Sequence, residues 1–164
     1  MSKYQLAQLN IGTLKAPLDS PELKDFVDNL DRINALAEGS PGFVWRLKGD
    51  GNDATSLRPF GDDIIVNMST WRDVDSLRNF TYKSVHTEIL RRKREWFTRM
   101  SDAYLALWWV PEGHEPTVAE AAAKLEHLRK HGATAEAFTF GEAFAAPDAA
   151  VAGAPFSFRD SCPA

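Results

Sequence analysis

An α+β fold, built on an antiparallel sheet with helices against it, is what this chain predicts, and three observations carry that expectation. Residues 4–12 and 64–71 alternate between an apolar and a mixed face at period two, as half-buried strands do. Helical spacing of apolar residues follows each of these stretches. A short strand pattern at 43–47 and an apolar one at 103–110 complete the order β-α-β-β-α-β, the ferredoxin-like split βαβ unit.

In the first strand Ala7, Leu9 and Ile11 point one way and Leu6, Gln8 and Asn10 the other. Ser20 followed by Pro21 predicts a helix start, and Leu23, Phe26, Val27, Leu30, Ile33, Asn34, Leu36 and Ala37 give an amphipathic helix ending near Gly39. Ser40-Pro41-Gly42 is a turn into the second strand, where Trp45 and Arg46 must face opposite ways. Residues 48–61 read as a loop in which 55–60 could pair briefly. In the third strand Ile64, Val66 and Met68 oppose Ile65, Asn67, Ser69 and Trp71. Asp73 caps a helix carrying Val74, Leu77 and Phe80, and a second helical run from Ser84 places Val85, Ile89, Trp96 and Met100 at core spacing. Thr117 caps a last helix that stops at Gly132; 138–144 reads as a small extended element, and the Ala/Pro-rich remainder is low in complexity. The expected division is a ferredoxin-like domain over 1–112 and a C-terminal helix and tail over 113–164, packed on the core or on a partner.

With 19 basic against 23 acidic residues the net charge is −4, which disfavours nucleic-acid and anionic-membrane partners. The one cysteine, Cys162, fits a reducing cytoplasm. The opening MSKYQLAQLNIG has no apolar core of about 7–15 residues as a secretory signal needs, and no run approaches the roughly 18 apolar residues of a membrane span. Phosphate-loop, dinucleotide, nucleophile-elbow and zincin motifs are absent, and His127 with His131 makes weak metal evidence, so no metal is expected. Arg91, Arg92, Lys93 and Arg94 are consecutive on a helix, point in four directions and read as a solvated or dimer-rim face.

The mixed strand faces hold the interest. Gln8, Asn10, Asn67, Ser69 and Trp71, with Trp45 or Arg46 and with Tyr104, Ala106 and Trp108, make a face too aromatic for solvent and too polar for a dry core. If helices cover the opposite face, a second subunit is the simplest cover for this one, and two such sheets would close into a dimeric barrel around a small-molecule pocket.

The motifs SPGFVWRL, VNMSTW, YKSVH with REWF, and LWWVP resemble a bacterial domain-of-unknown-function family, number 3291, in the dimeric α+β barrel superfamily of the antibiotic-biosynthesis monooxygenases. The resemblance spans residues 5 to about 140. It implies a homodimer with one pocket per subunit, and a superfamily that includes cofactor-free oxygenases, haem-degrading enzymes and isomerases. The activity it suggests is cofactor-independent oxygenation of an aromatic or polycyclic molecule; the alternatives are a non-catalytic hydrophobic-ligand or haem binder and an oxygen-independent isomerase or cyclase. The haem degraders use an Asn on the first strand, which Asn10 matches. Phe80 stands nine residues after Trp71, where their Trp would lie, and His86 follows Phe80 by only six. No cofactor is therefore the first expectation, with haem through His86 the minority one.

Candidate catalytic residues are His86, as a base titrating near neutrality, and Asn10 and Asn67, whose amides can hold an oxyanion. Gln8, Arg46, Ser69, Trp71, Tyr82 and Trp108 are candidate substrate contacts. Tyr82 and His86 share a face only if their helix is continuous.

Overall fold

The computed structural model describes residues 2–84 and 86–149. Val85, Cys162 and the tail from 150 lie outside the described residues. The elements are β1 (Tyr4–Leu14), a 3-10 turn (Pro21–Leu23), α1 (Lys24–Glu38), β2 (Phe43–Arg46), β3 (Ile64–Trp71) and α2 (Val74–Lys83). They continue with α3 (His86–Arg91), α4 (Lys93–Trp96), β4 (Phe97–Thr98), β5 (Leu105–Pro111) and α5 (Val118–His131). The sheet is antiparallel in the ferredoxin-like order β2-β3-β1-β5. β1 shares its second edge between two strands, β5 from Tyr4 to Asn10 and the two-residue β4 at Thr13 and Leu14. A backbone bridge between Leu107 and Phe138 covers the outer edge of β5, where an open strand would invite pairing with another chain.

Residues paired directly across antiparallel strands share a face. Leu9 pairs with Met68 and Ala106, and Ala7 with Thr70 and Trp108, so these residues form the dry side of the sheet. Ala121, Leu125 and Leu128 of α5 pack there, as do Ala54, Leu57 and Phe60 from the loop after β2. That loop contributes no strand at 55–60, because its apolar side chains turn down onto the sheet instead. α5 is held at both ends as its sequence predicts: the Thr117 hydroxyl accepts the Glu120 amide at 3.1 Å, and Gly132 takes a φ of 73°.

The other side carries Leu6, Gln8, Asn10, Asn67, Ser69 and Trp71. It is this mixed side that α1, α2 and α3 of the same chain overlie, with Ala37, Val74 and Leu77 against Leu6 and Trp71 at one end. Both faces of the sheet are thus covered within one chain, and the expectation that a second subunit must cover the mixed face is corrected. The helical run expected from Ser84 to Met100 is also broken up. Ser84 is extended, its hydroxyl reaches back to the Phe80 carbonyl and accepts the His86 amide, and the chain leaves the helix at Phe97 to pair with β1. Ser20 caps the 3-10 turn only through its backbone conformation, its hydroxyl being taken by the Pro17 carbonyl.

Candidate functional site

Between the mixed sheet face and α1 to α3 lies a cavity of about 420 Å³. Its existence follows from how α1 sits. The apolar stripe of α1 includes Phe26, Leu30 and Ile33, yet only Ala37 of that helix is fully buried. Phe26 packs on Trp96 at 5.4 Å and edge-on to Phe97 of β4 at 5.2 Å, whereas Leu30 and Ile33 face the cavity. Trp71, Phe80 and Phe43 make the aromatic end, Phe80 stacked on Trp71 at 5.2 Å and 25° and Phe43 edge-on to it at 5.3 Å.

The floor is a polarised run of side chains on adjacent strands. Gln8 Nε2 donates to Asn67 Oδ1 at 2.6 Å and to Ser69 Oγ at 2.9 Å. Asn10 Nδ2 donates to Gln8 Oε1 and Asn67 Oδ1, and Trp71 Nε1 donates to Ser69 Oγ at 2.8 Å. Both amide donors of Gln8 are committed, and the two acceptor positions of Ser69 Oγ are filled. What remains, among the described residues, is the Ser69 hydroxyl proton and the Asn67 NH2 group, two donors with no protein acceptor on a cavity wall.

His86 stands across from that floor at the start of α3. Its Nδ1 lies 3.2 Å from the Thr81 carbonyl, and its ring packs on Phe80 at 4.9 Å. A carbonyl can only accept, so Nδ1 carries the proton and Nε2 keeps a free lone pair. Burial pushes the imidazole below its ordinary value, against the bond to Thr81, which holds it up. The ring is therefore neutral at pH 7, with Nε2 unprotonated.

Arg46, not Trp45, faces the cavity, because it pairs with Ser69 across the strands. It is 7% exposed, and its Nε donates to Glu38 Oε1 at 2.7 Å and its guanidinium to Asn52 Oδ1 at 2.9 Å. That hydrogen bond holds the Glu38 carboxyl below the usual carboxylate range, so Arg46 is a neutralised wall group rather than a free anion receptor.

Eight of the nine predicted site residues line this one cavity: Gln8, Asn10, Arg46, Asn67, Ser69, Trp71, Tyr82 and His86. Tyr82 is more than half exposed at its mouth, and the break at Ser84 means that it and His86 meet the cavity from two helices. Trp108 is the correction. It lies opposite Ala7 on the dry face, and its Nε1 donates to Glu120 on α5 at 2.9 Å. An unbroken apolar strand such as LALWWV carries no alternation from which to read its parity, and the expected placing of Tyr104 and Ala106 on the cavity side rests on the same phase. Of these, Ala106 is also on the dry face, whereas Tyr104, just outside β5, does line the cavity. Among the described residues no group of three or more His, Cys, Asp or Glu could hold a metal ion, and no helix is long and apolar enough to cross a membrane.

A family model described as a domain of unknown function (DUF3291) matches residues 5–154. The chain belongs to that family. Among solved structures, this DUF3291 chain is similar to SnoaB, a cofactor-independent oxygenase from Streptomyces nogalater, at 17% identity over 70% of this chain and 96% of that one, TM-score 0.45. It is also similar to a protein of unknown function from Nitrosomonas europaea, at 12% identity over 70% and 95%, TM-score 0.44. A Pseudomonas aeruginosa protein is similar at 13% identity over 70% and 98%, TM-score 0.47. No curated protein matches.

Several site residues of the DUF3291 chain were not singled out from sequence. In the sequence Phe26, Leu30 and Ile33 are only the apolar stripe of an amphipathic helix, whereas in the structure that stripe roofs the cavity. Phe140, which meets Tyr82 edge-on at 5.7 Å, comes from the short segment after α5. Glu38 was predictable in kind, since a buried arginine on a strand needs a carboxylate.

Proposed function

We propose that this protein is a cofactor-independent monooxygenase acting on an aromatic or polycyclic molecule held between the sheet and α1 to α3. The observation that carries the reading is the pairing, across one cavity, of a neutral His86 whose Nε2 is free with two uncommitted donors on Asn67 and Ser69. A phenolic substrate stacked along Trp71 and Phe80 gives its proton to Nε2. The phenolate oxygen accepts from Asn67 and Ser69, with Asn10 holding the Asn67 amide in place. General-base and oxyanion contributions of this kind are worth about 2–4 kcal/mol each. The electron-rich ring then takes dioxygen from solution: a ring C–H becomes C=O, the phenol becomes a quinone, and the second oxygen atom leaves as water.

Oxygen uptake against a panel of hydroxylated naphthalenes and anthracenes tests this. Uptake matched to substrate loss, and lost in His86→Ala, is the expected result; full turnover in His86→Ala overturns it. Conversion of the panel without oxygen uptake would instead identify an isomerase or cyclase using the same walls. Haem is the other occupant in play, because Nε2 of His86 is positioned as a ligand atom; a Soret shift on titration with haem, absent in His86→Ala, would favour it. The family resemblance further supports a homodimer, and the lone cysteine, Cys162, supports a reducing cytoplasm. With both sheet faces covered, the dimer contact must use other surfaces, and light scattering that returns the monomer mass at micromolar concentration would remove it.

A further inference from the structure

The second edge of β1 is left incomplete where it passes from β5 to β4. Pairing with β5 stops at Asn10 and pairing with β4 begins at Thr13, so Ile11 and Gly12 sit in a breach spanned only by the bond from the Ile11 amide to the Tyr104 carbonyl at 3.0 Å. A second pocket of about 320 Å³ opens there, lined by Ile11, Gly12, Lys93, Arg94, Tyr104 and the run from Phe97 to Met100 that carries Arg99. Its lining holds three cations, Lys93, Arg94 and Arg99, and no aspartate or glutamate.

That composition is against the trend of the molecule, which carries four more acids than bases. Of the other basic residues, Arg32, Arg46, Arg72, Arg92, Lys24 and Lys124 each meet a carboxylate within 4 Å, and Lys15, Arg58 and Arg129 donate to backbone carbonyls. Among the described residues Lys93, Arg94 and Arg99 meet none; the Lys93 ammonium lies over the Tyr104 ring at 3.8 Å. Three like charges left together without a counter-charge repel one another, and an anion relieves that repulsion.

The basic pocket adjoins the main cavity. Ile11, Gly12, Lys93, Phe97 and Tyr104 line both. Gly12 permits the junction to be this thin, since a Cβ placed there would stand 2.7 Å from Phe97 Cδ1.

We infer that the ligand of the main cavity is an aromatic oxyanion, its ring between the sheet and α1 and its carboxylate or phosphate in the breach between β4 and β5 on Lys93, Arg94 and Arg99. This rests on the reading of the main cavity as an aromatic-ligand site. It adds a second charged arm, separate from the oxygen that Asn67 and Ser69 hold and away from the neutralised Arg46.

Two dyes with one skeleton test it: 1-anilinonaphthalene-8-sulfonate, which has the anion, and N-phenyl-1-naphthylamine, which lacks it. The wild-type protein is expected to bind the sulfonate about tenfold more tightly, with the gap closing as salt is raised to roughly 0.5 M. In an Arg94→Gln, Arg99→Gln protein, whose changes lie outside the lining of the main cavity, the sulfonate should fall to the level of the neutral dye while the neutral dye is unchanged; Arg99→Gln alone should show a partial loss. Ile33→Trp, which fills the main cavity, should remove both. Competition by benzoate against phenyl phosphate then tells which oxyanion is preferred. Equal binding of the two dyes by the wild type overturns the inference and leaves the aromatic site standing. Binding of neither dye, or binding unaffected by Ile33→Trp, overturns both.

Discussion

The two faces of one sheet are made from alternate residues of the same strands and are put to opposite uses. On the α5 side Leu9, Met68, Ala106 and Trp108 are at most 1% exposed and interlock with Leu125 and its neighbours. On the α1 side the same strands offer Gln8, Asn10, Asn67 and Ser69 to a cavity that α1 roofs without filling. The dry face supplies the packing energy that lets the wet face stay open. Period-two alternation is what allows a single strand to carry both duties.

Substitutions that separate stability from ligand chemistry sharpen this contrast. Leu125→Ala, on the dry face, should show the largest loss of stability, about 2–5 kcal/mol in denaturant melts, with dye binding in the main cavity unchanged. A loss below 1 kcal/mol would mean that α5 is not what secures the sheet. His86→Ala should do the reverse: about 10²–10⁴-fold less turnover on a phenolic substrate, with a melting midpoint near that of the wild type. Gln8→Leu lies between the two. It leaves Asn67 and Ser69 without their shared partner, which should cost about 1–3 kcal/mol and weaken ligand binding together; unchanged binding would show that the floor is only structural. Trp108→Phe removes one bond to Glu120 and should cost about 0.5–1.5 kcal/mol, leaving binding alone, whereas a binding defect would return Trp108 to the site.

The smallest effect is in pH. The half-buried His86 titrates below its ordinary value of 6.5, so the unfolded chain takes up a proton first as pH falls. Its contribution to stability is complete above pH 6.5 and is lost as pH drops through 6.5 toward the folded value. His86→Gln should flatten the stability profile in that window, and an identical profile would place the imidazole in solvent.

The fold was legible because alternation and helical spacing are local and strong in β1, β3, α1 and α5. The site was legible in part for the same reason: polar residues at positions of one parity in two strands, Gln8 with Asn10 and Asn67 with Ser69, mark a face before its cover is known. What covers that face was not legible, since an amphipathic stripe such as Phe26, Leu30, Ile33 looks the same whether it meets side chains or a void. Strand β5 is apolar on both sides, so Trp108 could not be phased. The break near Ser84, where the hydroxyl turns to the Phe80 carbonyl, is legible as the start of a second helical run, but the exit of that run at Phe97 into pairing with β1 is not, because it depends on a non-local partner.

The loose seating of α1 has a thermodynamic reach beyond the site. Where Leu30 and Ile33 face the cavity, α1 has fewer packing contacts than at Phe26 and Ala37, so a bound molecule would serve that stretch as its missing interior. Occupancy and folding are then linked quantities, and a ligand at about a hundred times its Kd would add about 2.7 kcal/mol to the stability of the whole chain. Hydrogen exchange along residues 24–38 would slow with saturation, making α1 a gauge of whether the cavity is filled.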